Sequence, residues 1–279
     1  MGALTIIAMA ISLITNTIDV KEALTGFSSS VVWLVVMAFF IAKAFIVTGF
    51  GNRVAYFFTG LFGKKSLGLG YSIAITNTLL SPVIPSATAR AAGIVYPIVQ
   101  SISRSYESFP NNKSANKIGG FLTLTAFQTT PVTSALFMTA MAANPLLVEL
   151  AATQNIAIDW LLWAKAALVP GLINLLLIPL VLYVLAPPEI KETPNATKIA
   201  KEHLTEMGRL SLHEWILCGT LILLLVLWGF SSVIGMSAFE AAIIGVSILL
   251  ATGVLKWKTL LKEQSAWETF VWFCIVLMM

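Results

Sequence analysis

One arginine stands in the middle of a long apolar stretch. Arg90 lies within Ser66–Ser103, which reads SLGLGYSIAITNTLLSPVIPSATARAAGIVYPIVQSIS. A charge at membrane depth is costly and usually has a function. A guanidinium can grip a carboxylate through two parallel N–H bonds, a geometry that an ammonium cannot match. The same group can instead pair with backbone carbonyls at a turn, and the sequence leaves both readings open. Just before it, Pro85-Ser86-Ala87-Thr88 reads as the start of a helix with Ser86 as N-cap. A helix N-terminus inside the membrane would offer free N–H groups and a partial positive charge to an anion. Capping alone would also account for Ser86 and Thr88. Arg90 falls about one turn beyond Ser86, on the same helix face. Thr76, Asn77 and Thr78 either line the same cavity or bond to a neighbouring helix.

The other residues that could do chemistry are sparse. The sequence has no paired acids, nucleophile elbow, phosphate loop or metal-ligand cluster, so neither an enzyme nor a metal site is expected. Cys218 and Cys274 lie in separate apolar segments, without a spacing partner for a disulfide or a metal. His203 and His213 fall in a polar linker and read as solvated. Lys43 and Lys165 sit in apolar runs, where their stems can snorkel. The tryptophans Trp33, Trp160, Trp163, Trp215 and Trp228 read mostly as interfacial belts. Hydroxyls dot Ile118–Leu150, and Pro131 and Asn144-Pro145 interrupt it. A helix broken there would free carbonyls for a cation or a substrate; the hydroxyls could equally hold packed helices together.

These residues need a membrane fold to position them. Hydrophobic residues make up 58% of the chain and charged residues 11%, against about 25% charged in soluble domains. The predicted class is an all-α polytopic membrane protein, with room for about six spans and a hairpin. The net charge of +4 sits in loops; it orients the chain and gives no footprint for nucleic acid. Lys64, Lys65 and Arg104 bracket the Arg90 stretch, which puts both of its ends on the cytoplasmic side. Its apolar arms are too short for two crossings of ~20 residues each. The stretch therefore reads as a re-entrant hairpin, whose irregular tip must be buried in protein or line a wet cavity.

Five regions follow: N-terminal helices and an interfacial helix in 1–65, the hairpin in 66–103, spans with a broken helix in 104–187, a cytoplasmic linker in 188–213, and further spans in 214–279. Trp160–Ala186 should be kinked at Pro170-Gly171 and Pro179. Glu149–Asp159 has no Lys or Arg and should be external. Glu268–Met279 opens an apolar run that the sequence leaves unfinished, so the chain reads as a piece of a longer parent.

Several runs carry a resemblance. GFSSSVVWLVVMAFFIAKAFIVTGFGNRVAYF, LGLGYSIAITNTLLSPVIPSATARAAGIVYPI, FMTAMAANPL and LLIPLVLYVLAPPEIK resemble the divalent anion/sodium symporter family. The similarity is to its bacterial citrate, tartrate and succinate exchangers and its plastid 2-oxoglutarate/malate translocators. It implies transport of di- or tricarboxylates across a bacterial inner membrane or a plastid inner envelope. It further implies two inverted repeats, of which this chain holds the first and the start of the second, and a homodimer moving as an elevator. By the same resemblance, Ser86, Ala87 and Thr88 form the first substrate tip, to which Arg90 is added here. Thr139, Ala142 and Asn144 then mark a coupling-ion or substrate site. No organic cofactor is implied, and sodium enters only as a coupling ion. Ala87 stands where the family motif usually has asparagine, which shifts the expectation from sodium symport toward exchange. A rival from another class is an inactive fragment or a membrane interaction subunit.

Overall fold

The computed structural model describes residues 1–110 and 113–278. They are helical almost throughout; among them the sole β element is an isolated antiparallel bridge between Lys65 and Glu192. Helices of ten residues or more are numbered here. The N-terminal α1 (Gly2–Ile14) and α2 (Ser30–Thr48) are both apolar. Gly49, at a φ of 74°, ends α2 and turns the chain into α3 (Phe50–Phe62). A left-handed residue at a helix end favours glycine, which has no Cβ to clash.

The hairpin follows. Its first arm is α4 (Ser66–Leu80). Its second arm is helical from Ala87 to Ser105: a turn at Ala87–Arg90, a π-helical segment at Ala91–Val95, and α5 (Tyr96–Ser105). Fifteen residues of α4 rise about 22 Å at 1.5 Å each, short of a ~30 Å hydrocarbon core. Both ends of the hairpin return to the same end of the molecule. The Ser66 N–H donates to the Lys191 carbonyl at 3.0 Å, and the Thr193 N–H donates to the Lys64 carbonyl at 2.8 Å. At the far end of the second arm the Ala196 N–H donates to the Tyr106 hydroxyl at 3.3 Å. Burial raises the Tyr106 phenol above its usual range and keeps it protonated.

Next come α6 (Gly119–Leu136) and α7 (Ala143–Thr153). Between them the chain breaks: Phe137 and Met141 are extended around a single 3-10 turn, Met138–Ala140. α8 (Trp160–Leu185) runs unbroken through Pro170 and Pro179. Its exposed Leu168, Leu172, Leu176, Leu180 and Val184 make a surface suited to lipid. After α9 (Pro194–Glu206) come α10 (Leu212–Gly229), α11 (Ala238–Ala251) and α12 (Gln264–Met278). By length and hydropathy α2, α8 and α10 can each cross a membrane, and α1, α11 and α12 are shorter apolar helices.

Several expectations are corrected here. The linker in 188–213, expected to be partly helical, carries α9, but His203 is not simply solvated: α9 packs along α3, and His203 stacks on Tyr56 at 4.7 Å between ring centroids. Lys43 does more than snorkel, for it pairs with Glu263 at 2.9 Å. Trp160 and Trp228 are buried and form no belt. Most hydroxyls of α6 bond inside their own helix. Thr125, Thr129, Thr130 and Ser134 each donate to the carbonyl four residues back, as buried hydroxyls on a helix do when no other acceptor is near. The last apolar run forms α12, which packs on α2 through Val32, Val35, Phe273 and Cys274.

Candidate functional site

The hairpin turn and the α6–α7 break lie against each other. Helix ends leave carbonyls without intrahelical partners, and here two such ends are buried together. Arg90, wholly buried, is the group that serves both. Its Nε donates to Asn77 Oδ1 at 3.2 Å, and its Nη2 donates to Ser134 Oγ at 2.7 Å. Its Nη1 donates to the Ala140 carbonyl at 2.8 Å and also to the Ile84 carbonyl. One guanidinium thus joins the first arm, the turn, the end of α6 and the 3-10 turn. Of its five N–H groups, four point at protein oxygens in this conformation.

The remaining polar residues extend the network. Asn77 Nδ2 donates to Thr130 Oγ1 at 3.0 Å, so Asn77 bonds to a neighbouring helix as well as to Arg90. Asn144 Nδ2 donates to the carbonyls of Ser134 at 2.8 Å and Phe137 at 3.0 Å, closing the end of α6. The Thr139 hydroxyl donates to the Pro82 carbonyl in the hairpin turn and accepts the Trp160 indole N–H at 3.2 Å. Ala142 is half-buried at the N-cap of α7 and brings no polar side-chain group.

The tip itself is more open. Ser86 caps the second arm, with its Oγ accepting the Ala89 N–H at 3.1 Å. The Arg90 N–H reaches the Ser86 carbonyl at 3.0 Å. The N–H groups of Ala87 and Thr88 therefore precede the helical ladder, where a carboxylate oxygen could meet them. Thr88 is exposed, as are Ala92, Gly93, Tyr96 and Pro97 further along the arm. Ser86–Thr88 thus present one surface, while Arg90 with Thr139 and Asn144 forms the buried layer behind it. The sequence pointed to Arg90 and to the break, but not to Ser134, Pro82 or Trp160 as their partners. Arg90 and Ser134 are 44 positions apart, and nothing local in the sequence marks such a pair.

A family model for the sodium:sulfate symporter transmembrane region matches residues 1–279. The chain belongs to this family. The family is one of membrane transporters. Within the family the chain is 48% identical over 280 residues to the putative malate transporter YflS of Bacillus subtilis (strain 168), covering 100% of this chain and 59% of that protein. To dicarboxylate transporter 1, chloroplastic, of Spinacia oleracea it is 46% identical over 280 residues, covering 100% of this chain and 49% of the relative. To the citrate/succinate antiporter of Escherichia coli (strain K12) it is 40% identical over 252 residues, covering 90% and 52%. The chain spans about half the length of these relatives.

Proposed function

We propose that this chain forms part of a secondary transporter of di- or tricarboxylates that works by exchanging one anion for another. The observation that carries the reading is the hairpin tip. A helix N-terminus capped by Ser86 meets a broken helix inside an apolar fold, with Thr88 open on its outer face. A carboxylate would lie against the N–H groups of Ala87 and Thr88 and the hydroxyls of Ser86 and Thr88. Arg90, one turn deeper, supplies positive potential from behind and holds the tip in shape. The relatives named for malate, dicarboxylate and citrate/succinate transport support the same substrate class.

A second reading, sodium-coupled symport, is favoured by the family's description as sodium:sulfate symporters. Unwound carbonyls beside a broken helix are where coupling cations bind in many transporters. In this chain the oxygens at that place are turned toward the Arg90 guanidinium: Ile84 O, Ala140 O, Ser134 Oγ and Asn77 Oδ1. A fixed internal cation there, together with Ala87, supports exchange over sodium coupling.

The test uses the protein expressed from its complete coding sequence and reconstituted in vesicles. Labelled malate, succinate and citrate are offered to vesicles loaded with unlabelled carboxylate or left empty. Uptake that depends on carboxylate inside is expected. No uptake of any carboxylate under either condition would overturn the substrate class.

A further inference from the structure

Trp160 opens α8, yet it is only 7% exposed, and its indole reaches across to the broken helix. Two ring stacks hold that indole. Phe137 lies 5.6 Å away with an 18° angle between planes, and Trp228 lies 6.1 Å away at 23°. Trp228 is held in turn, for its own N–H donates to the Ala238 carbonyl at 3.1 Å. The Trp160 ring thus has little freedom, and its N–H has one direction. That direction is Thr139 Oγ1, at 3.2 Å.

A hydroxyl has one hydrogen to donate and lone pairs to accept with. Once the indole N–H occupies a lone pair of Thr139, the hydroxyl hydrogen must point elsewhere. Here it goes to the Pro82 carbonyl, in the turn between the two arms of the hairpin. Thr139 is 2% exposed, so no water competes for that hydrogen. An indole N–H is donor only, so the order of donation is fixed from Trp160 to Thr139 to Pro82.

We propose that Trp160 is a positioning residue for the hairpin tip: through Thr139 it sets the register between the turn at Pro82 and the α6–α7 break, and so places the Ser86–Thr88 surface for its anion. The inference rests on the transport reading for its consequence and on geometry alone for the strut. Arg90 joins the same two elements, but from the side of Ile84 and Ala140. Arg90 and Trp160 therefore form two independent ties. One tie alone would leave the turn free to pivot, and two hold its orientation. The strut also reaches beyond the hairpin and α6, since Trp228 lies in α10 and Ala238 opens α11.

The experiment is a double-mutant cycle on carboxylate affinity in the full-length protein. Trp160→Phe keeps a stacking ring and removes the N–H; Thr139→Val keeps the shape and removes both bonds. Each change is expected to weaken carboxylate affinity about three- to tenfold, the range for one neutral hydrogen bond. In the Thr139→Val background, Trp160→Phe should add little, because the bond it breaks is already gone. Thr139→Ser should stay within about twofold of the unmodified protein, since it keeps the hydroxyl. Additive losses would show that Trp160 acts only through packing and would overturn the proposal. Equal behaviour of Thr139→Ser and Thr139→Val would overturn it too, and this pair decides the matter if Trp160→Phe fails to accumulate. A second readout needs no substrate. A cysteine at Val83, which is buried in the turn, is labelled by a thiol reagent with Cys218 and Cys274 replaced by alanine. Labelling should quicken in Trp160→Phe and Thr139→Val and stay slow in Thr139→Ser. If the unmodified protein binds no carboxylate, the transport reading has failed, and the labelling rates alone then decide whether the strut exists.

Discussion

Removing the Arg90 side chain would strand acceptors on four separate segments. Asn77 Oδ1, Ile84 O, Ala140 O and Ser134 Oγ would all lose a charged donor in a wholly buried place. Breaking one side of a buried charged network costs ~3–5 kcal/mol. Arg90→Ala is therefore expected to lower the thermal stability of the detergent-solubilised protein strongly. Arg90→Lys keeps the charge, but a point ammonium cannot span the fork, so it should fall between alanine and the unmodified protein. Carboxylate affinity should fall as well, because the guanidinium lends positive potential to the tip and is one of its two ties to the α6–α7 break. Stability and affinity measured side by side decide the role of Arg90: lost affinity at unchanged stability would mean that the guanidinium touches the substrate directly. The sequence showed that Arg90 mattered, because a lone charge in an apolar stretch needs a reason. It did not show which of two reasons applied. Both are chemistry of the same five N–H groups, and only the positions of Ile84 and Ala140 distinguish them.

At the scale of elements, the helical hairpin was legible because two local signals, basic flanks and short apolar arms, both pointed to a chain that returns to its starting end. The break in α6–α7 was legible from Asn144-Pro145, although Asn144 turned out to cap the carbonyl end of α6. Proline positions alone misled at Pro131, which lies inside α6 without interrupting it. What stayed hidden was pairing over distance. Arg53 binds Glu214 at 2.6 Å across 161 positions, and also the carbonyls of Gly208 at 2.9 Å and Met207 at 3.2 Å, which fastens α3 to the start of α10. Helix docking is equally nonlocal. α12 lies so close to Gly26 that a Cβ there would stand 1.9 Å from the Cys274 carbonyl oxygen. That atom is backbone and cannot rotate away. Gly26→Ala is expected to push α12 off α2 and cost ~1–3 kcal/mol, as overpacking does. Gly219→Ala, where a Cβ meets nothing within 4 Å, is the control. Equal melting temperatures for the two variants would show that α12 does not dock there.

The whole molecule puts the hairpin ends, α3 and α9 at one end, joined by the Lys64–Thr193, Ser66–Lys191 and Tyr106–Ala196 contacts. Lys64, Lys65, Lys191, Lys198 and Lys201 gather there, which the positive-inside rule assigns to the cytoplasm. Cysteines introduced at Lys65 and Arg104 should be protected from an impermeant reagent in intact cells, and one at the exposed Asn155 should react. Reaction at all three sites at equal rates would mean that the hairpin arms cross the membrane.

Coupling is also a property of the whole molecule, because it asks whether an empty carrier can return across the bilayer. A carrier with a permanent cation at its substrate tip carries unbalanced charge into a low-dielectric layer when empty, and the anion offsets that charge. Arg90 is such a cation, and Ala87 brings no side-chain oxygen with which to hold sodium in its place. The expected behaviour of the full-length protein is obligatory exchange, with uptake little changed when choline replaces sodium and strongly stimulated by carboxylate on the opposite face. Vesicle uptake in the four combinations of external sodium or choline, with and without internal carboxylate, measures both effects. Uptake that collapses in choline and ignores internal carboxylate would mean that backbone carbonyls at the α6–α7 break bind sodium beside Arg90, and that the guanidinium serves only to hold the turn.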